Sequence, residues 1–149
     1  MEDRVIPRQN VPVTISLTDR RNISGTLQID LDTKLIDFLN YQETYLIIRD
    51  KDSSLKLLNK NHIIDIRPQE SASQTKLNTK SQDEGYLPQQ NIPVTISLVD
   101  GRHLSGDFGI DIGTRLSDFL NLSERYLILQ DSVKTIRIIN KNHIVEIRF

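Results

Sequence analysis

The chain has no cysteine and no tryptophan among its 149 residues, and only four tyrosines and four phenylalanines. Without thiols there is no disulfide, no thiolate nucleophile and no sulfur-ligated metal. With so few rings, a core has to be assembled from Ile, Leu and Val, which are good strand residues. Neither charge is in excess: 19 Lys and Arg stand against 20 Asp and Glu, a net charge of −1. The whole molecule therefore exerts no pull on nucleic acid or anionic lipid, and such binding would need a local patch. No apolar run approaches the roughly 18 residues of a membrane span. The opening MEDRVIPRQN carries acidic residues where a signal peptide would carry an apolar stretch. The expectation is a cytoplasmic chain with no membrane span, in which the Asn-x-Ser triplets at Asn22 and Asn121 are coincidental.

What the chain does contain is itself, twice. Displaced by 81 positions, Asn10 to Arg67 aligns with Asn91 to Arg148 without a gap, and about half the aligned residues are identical. Between the copies lies PQESASQTKLNTKSQDEGYLPQQ, rich in Gln, Ser, Lys and Asp. Such a segment buries too little apolar surface to offset its ordering entropy. The division expected is 1–67 as a first unit, 68–90 as a flexible linker, and 91–149 as a second unit, with Tyr86 and Leu87 leading into the latter.

Each unit reads as five strands and one short helix. Val11, Val13, Ile15 and Leu17 alternate with polar residues, as do Ile92, Val94, Ile96 and Leu98, which is the period of a half-buried strand. Asp19-Arg20-Arg21 and Asp100-Gly101-Arg102 mark a hairpin turn. Gly25 and Gly106 interrupt the next strand, as a bulge or sharp bend requires. The period then changes in TKLIDFLN and TRLSDFLN: Leu35, Phe38 and Leu39, with their counterparts Leu116, Phe119 and Leu120, share one face of a short helix. Thr33 can cap its start and Asn40 its end. Strand periodicity resumes through Tyr45–Asp50, Leu55–Leu58 and, after Asn59-Lys60-Asn61, His62–Arg67.

Short strands with a bend-making glycine in the second and a tight turn before the last predict a mainly β protein. The expected form is two tandem five-stranded antiparallel barrels of the SH3 or Sm-like type, with the helix inserted between strands 2 and 3. VTISLVDGRHLSGDFGIDI resembles the first motif of the Sm and Sm-like proteins, and INKNHIVEI resembles the second. The phrase RLSDFLN is also similar to small bacterial domains with no assigned activity. Two departures separate the chain from the Sm-like pattern. The helix is inserted rather than leading the first strand, and the last turn reads Asn-Lys-Asn-His where the family's RNA-contacting turn carries Arg-Gly or Tyr-Lys-His.

Candidate chemistry is sparse. His62, His103 and His143 are the only imidazoles, and no close His/Asp/Glu spacing forms a ligand set, so no metal or other cofactor is expected. A nucleophile elbow is absent and Asp30/Asp32 reads as a solvated pair, so catalysis is not expected. Asp37 and Asp118 can pair with Lys34 and Arg115 three residues earlier, or these four can contact a partner. Arg21, Lys60 and His62, and in the second unit Arg102, Lys141 and His143, lie at turns where small barrels place recognition residues. The leading expectation is a non-catalytic adaptor or assembly module acting through protein–protein contacts or self-association by edge strands. The alternative is RNA or nucleotide-anion binding through the basic turns, although matched aromatic platforms for base stacking are lacking. Nothing in the chain points to DNA.

Overall fold

The computed structural model describes residues 7–69, 89–122, 124–131 and 135–149. The period-two runs of the first copy form β1 (Arg8–Leu17), β2 (Asn22–Asp30), β3 (Tyr45–Arg49), β4 (Leu55–Asn59) and β5 (Ile63–Pro68). Those of the second form β6 (Gln89–Leu98), β7 (His103–Asp111), β8 (Tyr126–Gln130), β9 (Ile136–Asn140) and β10 (Ile144–Arg148). The repeated helical phrase becomes α1 (Leu35–Leu39), between β2 and β3, and α2 (Leu116–Leu122), between β7 and β8. Pro68 ends β5 and Gln89 opens β6. The rest of the expected linker, with Tyr86 and Leu87, falls at 70–88, outside the described residues.

All ten strands join one antiparallel sheet in the order β10-β6-β7-β8-β9-β5-β1-β2-β3-β4. The mainly β, antiparallel architecture is as expected; the ten strands form one continuous sheet that is not closed. The fifth strand of each half pairs with the first, as β5 with β1 and β10 with β6. The other edge of β5 takes β9 from the second half, with Asp65 opposite Ile139 and Ile66 opposite Ile138. The physical reason lies in β5 itself, where Ile63, Ile64, Asp65 and Ile66 are all buried. A strand apolar on both faces has to be covered on both. Ile63 and Ile66 enter a first core with Tyr126, Ile136 and Ile138 of the second half, while Ile64 enters a second core with Ile139, Val94 and Phe108. The two cores therefore share the strands at the seam.

Gly25 and Gly106 allow the sheet to bend onto itself. A Cβ on Gly25 would lie 2.5 Å from the Arg49 carbonyl oxygen, and one on Gly106 would lie 2.6 Å from that of Gln130. Only beyond each glycine does the second strand of the half reach the third, through Thr26↔Arg49 and Asp107↔Gln130. The tight β1–β2 turn shows the other backbone demand. Arg20 adopts φ 72°, where the second copy has Gly101 at 89°. A side chain there costs about 1 kcal/mol, partly offset by the greater freedom that glycine loses on folding. Arg20→Gly is accordingly expected to raise stability by about 0.5–1 kcal/mol, read as a higher urea midpoint; an unchanged or lower midpoint would contradict it.

α1 is too short to persist alone and is held by burying Leu35, Ile36 and Leu39, with Phe38 partly covered. Lys34, not Thr33, occupies the N-cap position, and its side chain makes no capping bond. Asn40 closes the helix with its backbone N–H on Ile36 and Asp37. In α2 the counterparts Leu116, Phe119 and Leu120 are only partly buried. The difference follows from the seam, because α1 is covered by β8 of the second half.

Candidate functional site

The seam between the halves is the most elaborated polar site in the described residues. Asp65, 0% exposed on β5, accepts from Arg102 Nη2 of the β6–β7 turn through Oδ1. Its Oδ2 accepts from Arg137 Nη1 of β9 at 3.0 Å. Arg102 is also fixed by Asp100, whose Oδ2 lies 2.7 Å from Arg102 Nε. Burial opposes the charge on Arg102, but Asp65 and Asp100 outweigh it and hold its pKa above the ordinary value. A single buried carboxylate thus neutralises guanidinium groups from two elements of the other half, the arrangement that a buried charge requires.

Beside this ion cluster, two asparagines tie backbone to backbone. Asn40 Oδ1 accepts from the Tyr126 N–H at 2.8 Å and its Nδ2 donates to the Tyr126 carbonyl. Asn140 accepts from the Asn142 N–H, which fixes its amide at the head of a 3-10 turn. Its Nδ2 then points across the seam and donates to the carbonyls of Lys60, 3.2 Å, and Ile63, 2.9 Å. The Tyr126 hydroxyl donates to the same Lys60 carbonyl; burial pushes the pKa of this phenol up, with Arg125 opposing. His143 Nε2 donates to the Asn61 carbonyl at 2.6 Å, which assigns the proton to that nitrogen.

The residues expected at basic turns are placed differently from one another. Lys60 is 2% exposed, and its Nζ donates to the carbonyls of Leu39, 3.0 Å, and Tyr41, 3.1 Å. It is a clamp on the C-terminal end of α1, and burial lowers its pKa, with Glu43 opposing and Arg125 adding to the shift. Lys141 Nζ makes the equivalent bond to Leu120 on α2. Arg21 is exposed and holds Asp19 at 2.7 Å. His62 Nδ1 lies 2.9 Å from Thr18 Oγ1. Arg115 and Asp118 form an exposed ion pair of 3.0 Å on α2, while Lys34 and Asp37 lie at the head of α1. The structure therefore brings Arg102, Lys60 and His143 to the seam and leaves Arg21, His62, Lys141, Arg115 and Asp118 away from it. Among the described residues no group of three His, Asp or Glu is placed to hold a metal, and no helix is long and apolar enough to cross a membrane.

Compared with family models, curated proteins and solved structures, the chain gives no match. The site has to be read from its own geometry. Asp65, Tyr126, Arg137 and Asn140 are seam residues that no sequence pattern singled out, and Asn40 stands out in the sequence only as a helix cap. One signal was available for Asp65: it is the lone polar residue in IIDI, a run with no period of two.

The two ends of the sheet carry the other feature of note. Tyr45 is 56% and Leu57 65% exposed, whereas their repeat counterparts Tyr126 and Ile138 are 2% and 0% exposed in the seam. Ile47 and Leu55 are exposed beside them. Clefts flank this surface, one of 440 Å³ lined by Asp19, Arg21, Leu57 and His62, the other of 830 Å³ lined by Phe38, Tyr41, Tyr45 and Ile47. At the opposite end, Val145 of β10 and Phe149 just beyond it are exposed.

Proposed function

We propose that the chain is a non-catalytic assembly or adaptor module that acts through protein–protein contacts at the two edges of its sheet, β4 and β10, that no other described strand pairs. On this reading each half is an SH3/Sm-like five-stranded unit. Support comes from the strand order, which is β5-β1-β2-β3-β4 in one half and β10-β6-β7-β8-β9 in the other. The observation that carries the function is the β5–β9 pairing. It is a complete example, inside the chain, of one unit recognising another by strand edge, ion cluster and apolar face together. Unpaired edges with adjoining apolar surface are templates for a further strand, and Tyr45, Ile47, Leu55 and Leu57 form such a surface next to β4.

RNA or anion binding through the turns has less support. The side chains of Lys60, Lys141, Arg21 and Arg102 are all engaged by carbonyl or carboxylate oxygens of the chain itself. A photo-crosslinking residue at Leu55, in the full chain in cells, tests the proposal. The expected result is a protein adduct that Leu57→Asp abolishes. Adducts to RNA, or protein adducts indifferent to Leu57→Asp, would refute it.

A further inference from the structure

We infer that the partner of the β4 edge, which has no second neighbour among the described strands, is the β10 edge of a second copy of this chain, docked as β5 docks on β9. The inference rests on the reading above that these edges bind protein. Its basis is that the sheet ends are the two separated halves of the seam. On the β4 side stand Tyr45, Ile47, Leu55 and Leu57, the counterparts of Tyr126, Ile128, Ile136 and Ile138, which the seam packs into the first core. On the β10 side stand Ile144 and Ile147, the counterparts of the fully buried Ile63 and Ile66.

The polar groups match in the same sense. Asp65 corresponds to Glu146, and its partners Arg102 and Arg137 correspond to Arg21 and Lys56, so a carboxylate on β10 faces two cations beside β4. Arg21 is already oriented for this contact, since its Nε holds Asp19 at 2.7 Å as Arg102 Nε holds Asp100. The Asn40–Tyr126 pair corresponds to Asn121 and Tyr45, and the Asn140-to-Lys60 bond to Asn59 and Lys141. Residue identity after a duplication is not by itself an argument. What argues for docking is that Tyr45, Ile47, Leu55 and Leu57 are exposed where their counterparts are covered by the seam, and that Ile144 and Ile147, packed against the second core, are only partly buried where Ile63 and Ile66 are fully so, since contiguous exposed apolar surface marks an interaction site. The contact is heterologous, each bound copy presenting a fresh β4 or β10, so association is head to tail and ends only where it closes.

The seam sets the register: Glu146 opposite Leu58 and Ile147 opposite Leu57. Because the chain contains no cysteine, introduced cysteines are the only thiols. The full-length single variants Leu57→Cys and Ile147→Cys, mixed and mildly oxidised, are expected to give about tenfold more disulfide dimer than Leu57→Cys mixed with Arg148→Cys. Residue 148 projects from the opposite face, and a disulfide needs Cβ atoms about 4 Å apart. Leu57→Cys alone is expected to give no more than that control. In light scattering the parent chain is expected to rise above monomer mass with concentration. A parent that stays monomeric at high concentration, or equal cross-linking in all mixtures, overturns the inference. If the chain stays monomeric while the Leu55 probe still captures another protein in a Leu57-dependent way, self-docking fails and the edge reading stands. If that probe captures no protein, the edge reading itself fails.

Discussion

Asp65→Ala is expected to lower the unfolding free energy by about 3 kcal/mol, at the lower end of the range for breaking a buried ion pair. Asp65 has no access to solvent, and its two oxygens serve Arg102 and Arg137. Deleting the carboxylate leaves both guanidinium groups at the seam without their shared counter-charge. They keep part of their hydration, with side chains 34% and 25% exposed, which limits the penalty. Asp65→Asn keeps one carbonyl acceptor but loses the charge and the second acceptor, turning an NH2 donor toward one guanidinium, so it should recover at most part of the loss seen in the alanine variant. Glu146→Ala, the corresponding change on exposed β10, should shift the dilute chain by less than about 0.5 kcal/mol. Urea unfolding of the four proteins checks the order. Equal midpoints for Asp65→Ala and the parent would mean that the ion cluster does not hold the halves together.

The elements of this fold are legible in the sequence because each depends on local pattern. Alternation in Val11–Leu17, the Asp-x-Arg turn, the glycine at Gly25 and the Leu35/Leu39 stripe each decide an element without reference to distant residues. The pairing of the halves is not legible in that way. Which strand covers the second edge of β5 depends on which edges are free once each half has formed, and no period records that. The same limit applied to Lys60. In sequence it is a cation in a polar turn, and turns are ordinarily exposed. Burial arises because the turn folds beneath the end of α1, whose last carbonyls need donors. Asn40 was read as a helix cap, which its backbone is, while its side chain is committed to Tyr126. A residue with two polar ends can satisfy both a local and a distant demand, and sequence pattern reports only the first.

Lys60→Met is expected to cost about 2 kcal/mol, and it separates a structural lysine from an anion ligand. Methionine keeps the length and apolar stem of the side chain but supplies no donor to the Leu39 and Tyr41 carbonyls. Each such orphaned acceptor costs about 1–3 kcal/mol, less what is regained by no longer burying an ammonium group. Lys141→Met should cost less, about 1 kcal/mol, because Lys141 is only partly buried and water can replace its bond to Leu120. The pH dependence has a definite sign. Burial lowers the Lys60 pKa in the fold relative to the unfolded chain, so the folded state releases its proton first. Stability from this group therefore rises as alkaline pH passes the folded pKa and levels off above the unfolded one, and Lys60→Met should lose that rise. A lysine acting on phosphate would behave in the opposite way: its loss would leave the urea midpoint unchanged and weaken a salt-dependent retention of single-stranded RNA. That outcome would return the turn to the role of an exposed cation; a lower midpoint with a lost alkaline rise fixes it as the clamp that holds α1 against the seam.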